Sequence, residues 1–216
     1  MKTLPIWKIE KSIIPNGRFK GRKSFNIIIN FCEKKCDYNY TVIKNRVIYK
    51  SCRNKFLLFN NNKTTMTIDE IIVKLNDMGF SKGDIVYIGG GNPIYFEEAI
   101  KELIFKLQLG IVILKINSYS FKPKYIEWFK KQKVYFNIYY NKYNDRVLFS
   151  KYFDNIDLIL LIDNFDELPT IIINKKYNVY IEFDNINKTK EDILYEFVNT
   201  NINGNFIISF NDLDYF

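Results

Sequence analysis

At 216 residues and 47% apolar composition the chain can close one domain around a real core, since ~200 residues bury about 70% of their unfolded surface. The complete absence of histidine excludes a Ser-His-Asp triad, the usual histidine-containing zinc sites and the commonest general base. The net charge of +8 is scattered along the chain, so it reads first as a solvated surface and second as a footprint for nucleic acid.

Three cysteines, two of them close together, do not make the disulfide framework of a secreted domain; close pairs in reducing compartments more often concern metals or redox, and a cytoplasmic protein is expected. The opening MKTLPIWKIEKS lacks the apolar core of a signal peptide. No run approaches the ~18 apolar residues of a membrane helix, so no membrane partner is expected. The 19 Phe and 16 Tyr call for an aromatic core, which suits strands better than a helical bundle.

Taken in order, residues 1 to 24 form a polar approach marked by glycine and proline, and Phe25 to Phe31 is the first strong strand, apolar on both faces as a covered parallel strand is. The loop with Cys32 and Cys36 leaves its C-terminal end. From Tyr40 to Phe59 the pattern alternates and is β-branched, as in a small hairpin, before the asparagine-rich break at Asn60 to Lys63. Thr67 and Glu70 make a capping box, Met66 and Ile71 a hydrophobic staple, and Ile68, Ile71, Ile72 and Leu75 share a helical face that Gly79 ends. A strand at Ile85 to Ile88 runs into Gly89-Gly90-Gly91-Asn92-Pro93. A helix carrying Ala99, Ile100, Leu103, Ile104 and Leu107 then reaches Gly110, and a strand follows at Ile111 to Ile116.

The alternation continues with a helix at Lys124 to Gln132, strands at Val134 to Tyr139 and Leu158 to Ile162, and a short helix or turn near Phe165 to Leu168. A strand at Asn178 to Phe183, a helix from Lys190 to Asn199 and a strand at Phe206 to Phe210 complete it. Repeated strand-helix units with apolar strands predict an α/β fold in one domain, either an open parallel sheet or a partial barrel. In such folds ligands sit at the C-terminal ends of the strands, where the cysteine loop, the glycine turn and Asn117 fall. Arg18, Lys20, Arg22 and Lys23 with Lys34 and Lys35 are expected to make one mouth of the sheet basic.

Cys32, Cys36 and the position of Asn39 reproduce a C-x3-C-x2-C spacing with asparagine in the third place. Thiolate softness and a tight loop are what an iron-sulfur cluster requires. On this spacing the chain resembles the radical S-adenosylmethionine superfamily, and over nearly its whole length it is similar to the 7-carboxy-7-deazaguanine synthase (QueE) family. Ile14-Pro15-Asn16-Gly17 stands at that family's Gln-Gly-Glu-Gly turn, Gly21-Arg22 at its Gly-Arg pair, Ile28 at its strand arginine and Asn39-Tyr40-Thr41 at the end of its cluster loop. Met66 to Ile72 matches its first helix, Gly90-Gly91-Asn92-Pro93 its Gly-Gly-Glu-Pro motif, and Ile116-Asn117-Ser118 its Thr-Asn-Gly. The last strand and tail, ISFNDLDYF, lack the histidine usual there.

The resemblance implies a partial (β/α) barrel of the radical S-adenosylmethionine type. It also implies a 4Fe-4S cluster, S-adenosylmethionine and Mg2+ as cofactors, a pterin substrate and a homodimer. Carried over by position, it assigns Cys32, Cys36 and, as a replacement third thiol, Cys52 to the cluster, Thr41 to magnesium, Gly90, Gly91, Asn92 and Asn117 to the cofactor, and Asn16 and Gly17 to substrate; no catalytic residue is assigned. Asparagine at position 92 keeps an acceptor but loses a carboxylate's charge, and Ile28 offers no fork to a substrate carboxylate. Three readings follow. The first is a catalytically impaired pseudoenzyme of the deazaguanine (queuosine) pathway type, acting as a binding or regulatory module. The second is a working synthase that contracts the ring of 6-carboxy-tetrahydropterin with an unusual cluster, and the third is a nucleic-acid-binding protein on the same scaffold.

Overall fold

The computed structural model describes residues 2–31, 40–43, 46–49, 64–107, 110–117, 120–129, 131–140, 154–162, 178–183 and 206–210. Its first element is a strand that the sequence pattern does not announce: β1, Thr3–Ile13, pairs antiparallel with β2, Lys23–Ile29. Along β1 Leu4, Ile6 and Ile9 are buried while Pro5, Trp7 and Lys8 between them are partly or fully exposed, and an irregularity between Ile6 and Lys8 breaks the period of two. The polar approach is therefore an antiparallel strand with one buried side. A two-stranded hairpin, β3 (Tyr40–Ile43) and β4 (Arg46–Tyr49), stands apart from the main sheet where a hairpin was expected.

Strand β5 (Thr64–Thr67) pairs with the other edge of β1 and leads directly into helix α1, Ile68–Asp77. The capping box forms as read: Thr67 accepts from the Glu70 amide, and the Glu70 carboxylate accepts from the Thr67 amide at 2.7 Å. Past Met78 the chain turns at Gly79 with φ of +85°, its amide donating to Asn76 at 2.8 Å. Strand β6 (Ile85–Gly90) follows, then a 3-10 turn at Pro93–Phe96, helix α2 (Glu97–Lys106) and strand β7 (Ile111–Asn117). Helix α3 spans Lys124–Trp128, shorter than the expected run to Gln132, and is followed by β8 (Val134–Tyr140), β9 (Ile156–Ile162), β10 (Asn178–Phe183) and β11 (Phe206–Phe210).

The strands form one nine-stranded sheet in the order β11-β10-β9-β8-β7-β6-β2-β1-β5. From β2 through β11 every neighbouring pair is parallel. The edge strands β5 and β11 do not pair, so the sheet is open, and the fold is α/β. No helix among the described residues is long and apolar enough to cross a membrane. The expected elements at Phe165 to Leu168 and Lys190 to Asn199 lie outside the described residues.

Period-two alternation gives the sheet two different faces. Phe25, Ile27 and Ile29 of β2, Val86 and Ile88 of β6, Val112, Leu114 and Ile116 of β7, and Phe136 and Ile138 of β8 form one side of the main core. Ile68, Ile71 and Leu75 of α1, Ile100, Leu103 and Ile104 of α2, and Tyr125 of α3 form the other side. Each fully buried Leu or Ile contributes about 1.5–3 kcal/mol, so this layer supplies most of the driving force. The opposite face is mixed. It carries Ser24, Asn26, Ile28 and Asn30 from β2 and its end, Tyr87 and Gly89 from β6, Ile113, Lys115 and Asn117 from β7, Tyr135, Asn137 and Tyr139 from β8, Asp157 and Ile159 from β9, and Tyr180 from β10. A sheet face of this polarity is where a ligand-binding function can be built.

Candidate functional site

Two structures meet this mixed face. The first is the connection between β1 and β2, whose base is closed by Ile14 N–H donating to Arg22 O and Gly21 N–H donating to Ile14 O, both 2.9 Å. Ile14 packs with Ile85, Tyr87 and Ile113, and Phe19 meets the Tyr135 ring edge-on at 4.9 Å. This folds the tip, Asn16-Gly17-Arg18, onto β8 and β9. Asn16 is 2% exposed; its Nδ2 donates to the Tyr139 hydroxyl at 2.5 Å, and Asn137 Nδ2 donates to Asn16 O at 3.2 Å and to Oδ1 at 3.3 Å.

Gly17 has φ of +79°, and a Cβ there would stand 2.9 Å from both amide atoms of Asn137 and 3.0 Å from Asp157 Oδ2. Only glycine fits so close an approach in the left-handed region. Arg18 then turns onto Asp157: its amide donates to Oδ2 and its Nε to Oδ1, each at 2.8 Å, with Nη2 at 2.7 Å from Oδ1 and donating to Ile156 O at 3.3 Å. Asp157 is 1% exposed, and a buried carboxylate needs such charge-assisted partners. Burial works to lower the Arg18 pKa, but the hydrogen bond and charge of Asp157 outweigh it and hold it above its ordinary value. The nearby Tyr180 hydroxyl is pushed up to about 12, by burial first and by the Asp157 charge second, with Arg18 opposing.

The second structure lies at the C-terminal ends of β2 and β6. Gly90 has φ of +96°, and a Cβ there would fall 2.5 Å from Ile29 O and 2.8 Å from Ile29 N. The backbone of β2 itself therefore demands glycine. Gly91 N–H donates to Ile29 O at 3.2 Å and Asn92 N–H to Phe31 O at 3.0 Å, so the turn is stitched across the point where the chain leaves toward Cys32. Asn92 is 1% exposed; its Nδ2 donates to Ser120 Oγ at 2.7 Å, while its Oδ1 is buried with no hydrogen-bond partner among the described residues. Next to this turn Tyr95, 56% exposed, stacks on Phe31 at 4.3 Å.

The residues singled out from sequence thus separate into two groups. Gly90, Gly91 and Asn92 sit together, and Asn117 ends the neighbouring strand, paired in register with Tyr139. Asn16 and Gly17 meet that register row through Tyr139, whose ring also lies 4.4 Å from Lys115 Nζ. Cys32, Cys36 and Cys52 lie outside the described residues, as does Asn39, and Thr41 is described only by its backbone pairing with Ile48. The turn cations precede β2, at its N-terminal end, and Arg18 among them is spent on Asp157. They do not share a mouth with Gly90 to Asn92 at the other end of that strand. Asn137, Tyr139 and Asp157 were not singled out from sequence, although a lone acid opening the apolar strand IDLILLI is a signal, since a buried charge needs a partner.

The implied cofactors can be tested against these residues. An unsatisfied buried acceptor such as Asn92 Oδ1 fits a ligand that brings an ammonium donor, which S-adenosylmethionine does. For a cluster, no group of three or more His, Cys, Asp or Glu among the described residues is placed to hold a metal.

The architecture defines an α/β protein with seven parallel strands, of which β2, β6 and β7 carry Asn30, Asn92 and Asn117 at or just past their C-terminal ends. Among solved structures, the chain is similar to the crystal structure of QueE from Escherichia coli, with a TM-score of 0.58 over 96% of this chain and 94% of that one. Identity between the two is 11%, so the likeness is one of fold. No family model matches the sequence, and no curated protein matches it.

Proposed function

We propose that the chain is a diverged QueE-like protein that keeps the scaffold as a binding or regulatory module and has lost radical chemistry. The observation that carries this reading is the state of the turn. Asn16, Asn137, Tyr139, Arg18 and Asp157 satisfy one another, and the arginine charge is cancelled inside the protein. A working pocket holds donors and acceptors open for its substrate, because polar groups matched to one another must be unpaired before a ligand can use them. Asn92 supports retained binding at the other end of the face, where its Oδ1 can accept from the ammonium of an S-adenosylmethionine-like ligand.

If such a ligand binds, the protein supplies position and exclusion of water. The Gly90-Gly91-Asn92 backbone fixes the rim, Asn92 orients the ammonium, and the aromatic pair of Phe31 and Tyr95 shields one side. The radical-initiating chemistry of the family belongs to the cluster, to which the sequence contributes Cys32 and Cys36 with asparagine in the third place. Strictly anaerobic purification and reconstitution, followed by iron and sulfide analysis, tests the reading. Substoichiometric iron that gel filtration removes is expected; a stable, stoichiometric 4Fe-4S cluster would overturn the reading of lost radical chemistry.

A further inference from the structure

A cavity of about 380 Å³ lies on the helix-covered side of the sheet, near the N-terminal end of β8 and away from both structures on the mixed face. Helix periodicity builds its first wall. Along α2, Ala99, Ile100, Leu103 and Ile104 turn into the core, which leaves Glu98, Lys101, Glu102 and Phe105, spaced three and four apart, on the outward face. Lys101, Glu102 and Phe105 line the cavity from that face, and Trp128 and Phe129 line it from the end of α3. Phe105 is 62% exposed, a large ring left in water at the cavity's edge. Gln132, in the turn between α3 and β8, completes the lining with Lys2. Its backbone is held on both sides: its N–H donates to Phe129 O at 2.9 Å and its carbonyl accepts from the Val134 N–H at 3.0 Å. Yet its side-chain Oε1 is buried with no hydrogen-bond partner among the described residues. A buried acceptor lacking its partner is costly, and one lining a cavity points to a donor that enters from outside.

The charges around the cavity decide what kind of molecule that is. Lys101 Nζ lies 2.8 Å from Glu98 Oε1 and 3.4 Å from the centroid of the Trp128 ring, and Lys2 Nζ lies 3.6 Å from Glu98 Oε2 and 3.7 Å from Glu102 Oε2. Two cations are thus matched by two carboxylates. An ionic ligand finds no net field to attract it and must compete with the pairs already formed, whereas a neutral one leaves them intact. The volume is near the lower end of the ~300–1,000 Å³ range of small-molecule pockets, which suits a single ring. We propose that this cavity is a binding site for a neutral monocyclic aromatic molecule with one strong hydrogen-bond donor, of which a phenol is the simplest. Its ring packs against Phe105, Trp128 and Phe129, and its hydroxyl donates to Gln132 Oε1. The site is independent of any ligand at Asn92, which lies at the opposite end of the strands.

The test titrates p-cresol into nitrogen-15-labelled full-length protein and follows the Trp128 indole N–H and the Gln132 side-chain amide by NMR. Saturable shifts of both signals with one dissociation constant are expected; no saturation, or saturation that leaves both signals unmoved, overturns the site. p-Fluorotoluene, which keeps the ring and lacks the donor, is expected to bind at least about fivefold more weakly, because it leaves the amide oxygen unpaired. Equal affinity of the two probes overturns the role of Gln132. 4-Hydroxybenzoate keeps the donor and adds a negative charge, so it is expected to bind more weakly than p-cresol; tighter binding overturns the neutral ligand class. Gln132→Leu should bring the two uncharged probes to within about twofold of each other, and a preference for p-cresol that survives this change overturns the assignment. Phe105→Ser, at an exposed position whose loss spares the core, should weaken both uncharged probes by a similar factor and keep their ratio; unchanged affinity for both overturns the aromatic wall. The comparison of probes on the wild type decides the proposal even where Gln132→Leu does not fold.

Discussion

Replacing Gly90 with alanine separates a structural from a ligand-binding reason for the glycine turn. At φ of +96° an L-residue costs about 1–2 kcal/mol. The new methyl would also stand 2.5 Å from Ile29 O, so β2 and β6 must part by several tenths of an ångström. That loosens the bonds from the Gly91 amide to Ile29 O at 3.2 Å and from the Asn92 amide to Phe31 O at 3.0 Å, each with a net worth of about 1 kcal/mol. The sum is about 3–4 kcal/mol, which in a domain of this size lowers Tm by roughly 10 °C. Gly79→Ala is the matched control. Its φ of +85° carries the same kind of strain, but a Cβ there meets nothing within 4 Å. Reduced freedom of the unfolded chain offsets part of that strain, leaving about 1 kcal/mol and a Tm loss of roughly 2–4 °C. Differential scanning calorimetry on ligand-free protein reads both. A Gly90→Ala variant within about 2 °C of the Gly79→Ala variant would refute the close-approach argument and return Gly90 to a role in binding.

Other perturbations follow from the same geometry. Asn92→Asp buries a carboxylate whose pKa burial raises, so the variant should match the wild type below about pH 4 and lose about 2–3 kcal/mol as pH rises to 7, read by urea denaturation at several pH values; a pH-independent difference contradicts the enclosure of that side chain. The Glu70 carboxyl is held below its ordinary value by hydrogen bonds from the Thr67 amide and hydroxyl, so its contribution to α1 is present above the unfolded pKa and lost as pH falls through the lower folded pKa. Glu70→Gln should accordingly differ from the wild type at neutral pH and converge with it in acid, by circular dichroism melts. Tyr180 is pushed up to about 12, so its share of stability is present below pH 10 and fades as pH climbs through about 12. Alkaline spectrophotometric titration should show a late-titrating component that shrinks in Tyr180→Phe; an unchanged curve contradicts its burial beside Asp157.

What could be read from the sequence tracks how local its cause is. The capping box of α1 and the apolar strands β2, β6, β7, β8 and β11 were legible because neighbours in sequence determine them. Strand β1 was not, since Lys8, Glu10 and Lys11, spread over both of its sides, mask the alternation and the irregularity near Lys8 shifts its phase. Helix α3 was read too long, to Gln132, where the chain instead turns after Trp128 to bring Phe129 under Phe136. The glycine turn was located correctly at a strand's C-terminal end, and the close approach of Gly90 to the backbone of Ile29 adds a packing reason for it that neighbours in sequence do not display. The Asn16 network was invisible because its partners lie more than a hundred positions away, Asn137 being separated from it by 121. Only the parallel register of β8 and β9 brings Asn137 beside Asp157 beneath one turn.

The central claim is that the scaffold persists without radical chemistry, and it is tested most directly by incubating anaerobically reconstituted protein with S-adenosylmethionine and dithionite and quantifying 5′-deoxyadenosine by chromatography. The account predicts no product above a blank lacking protein. Steady formation of 5′-deoxyadenosine beyond one equivalent per chain would contradict it.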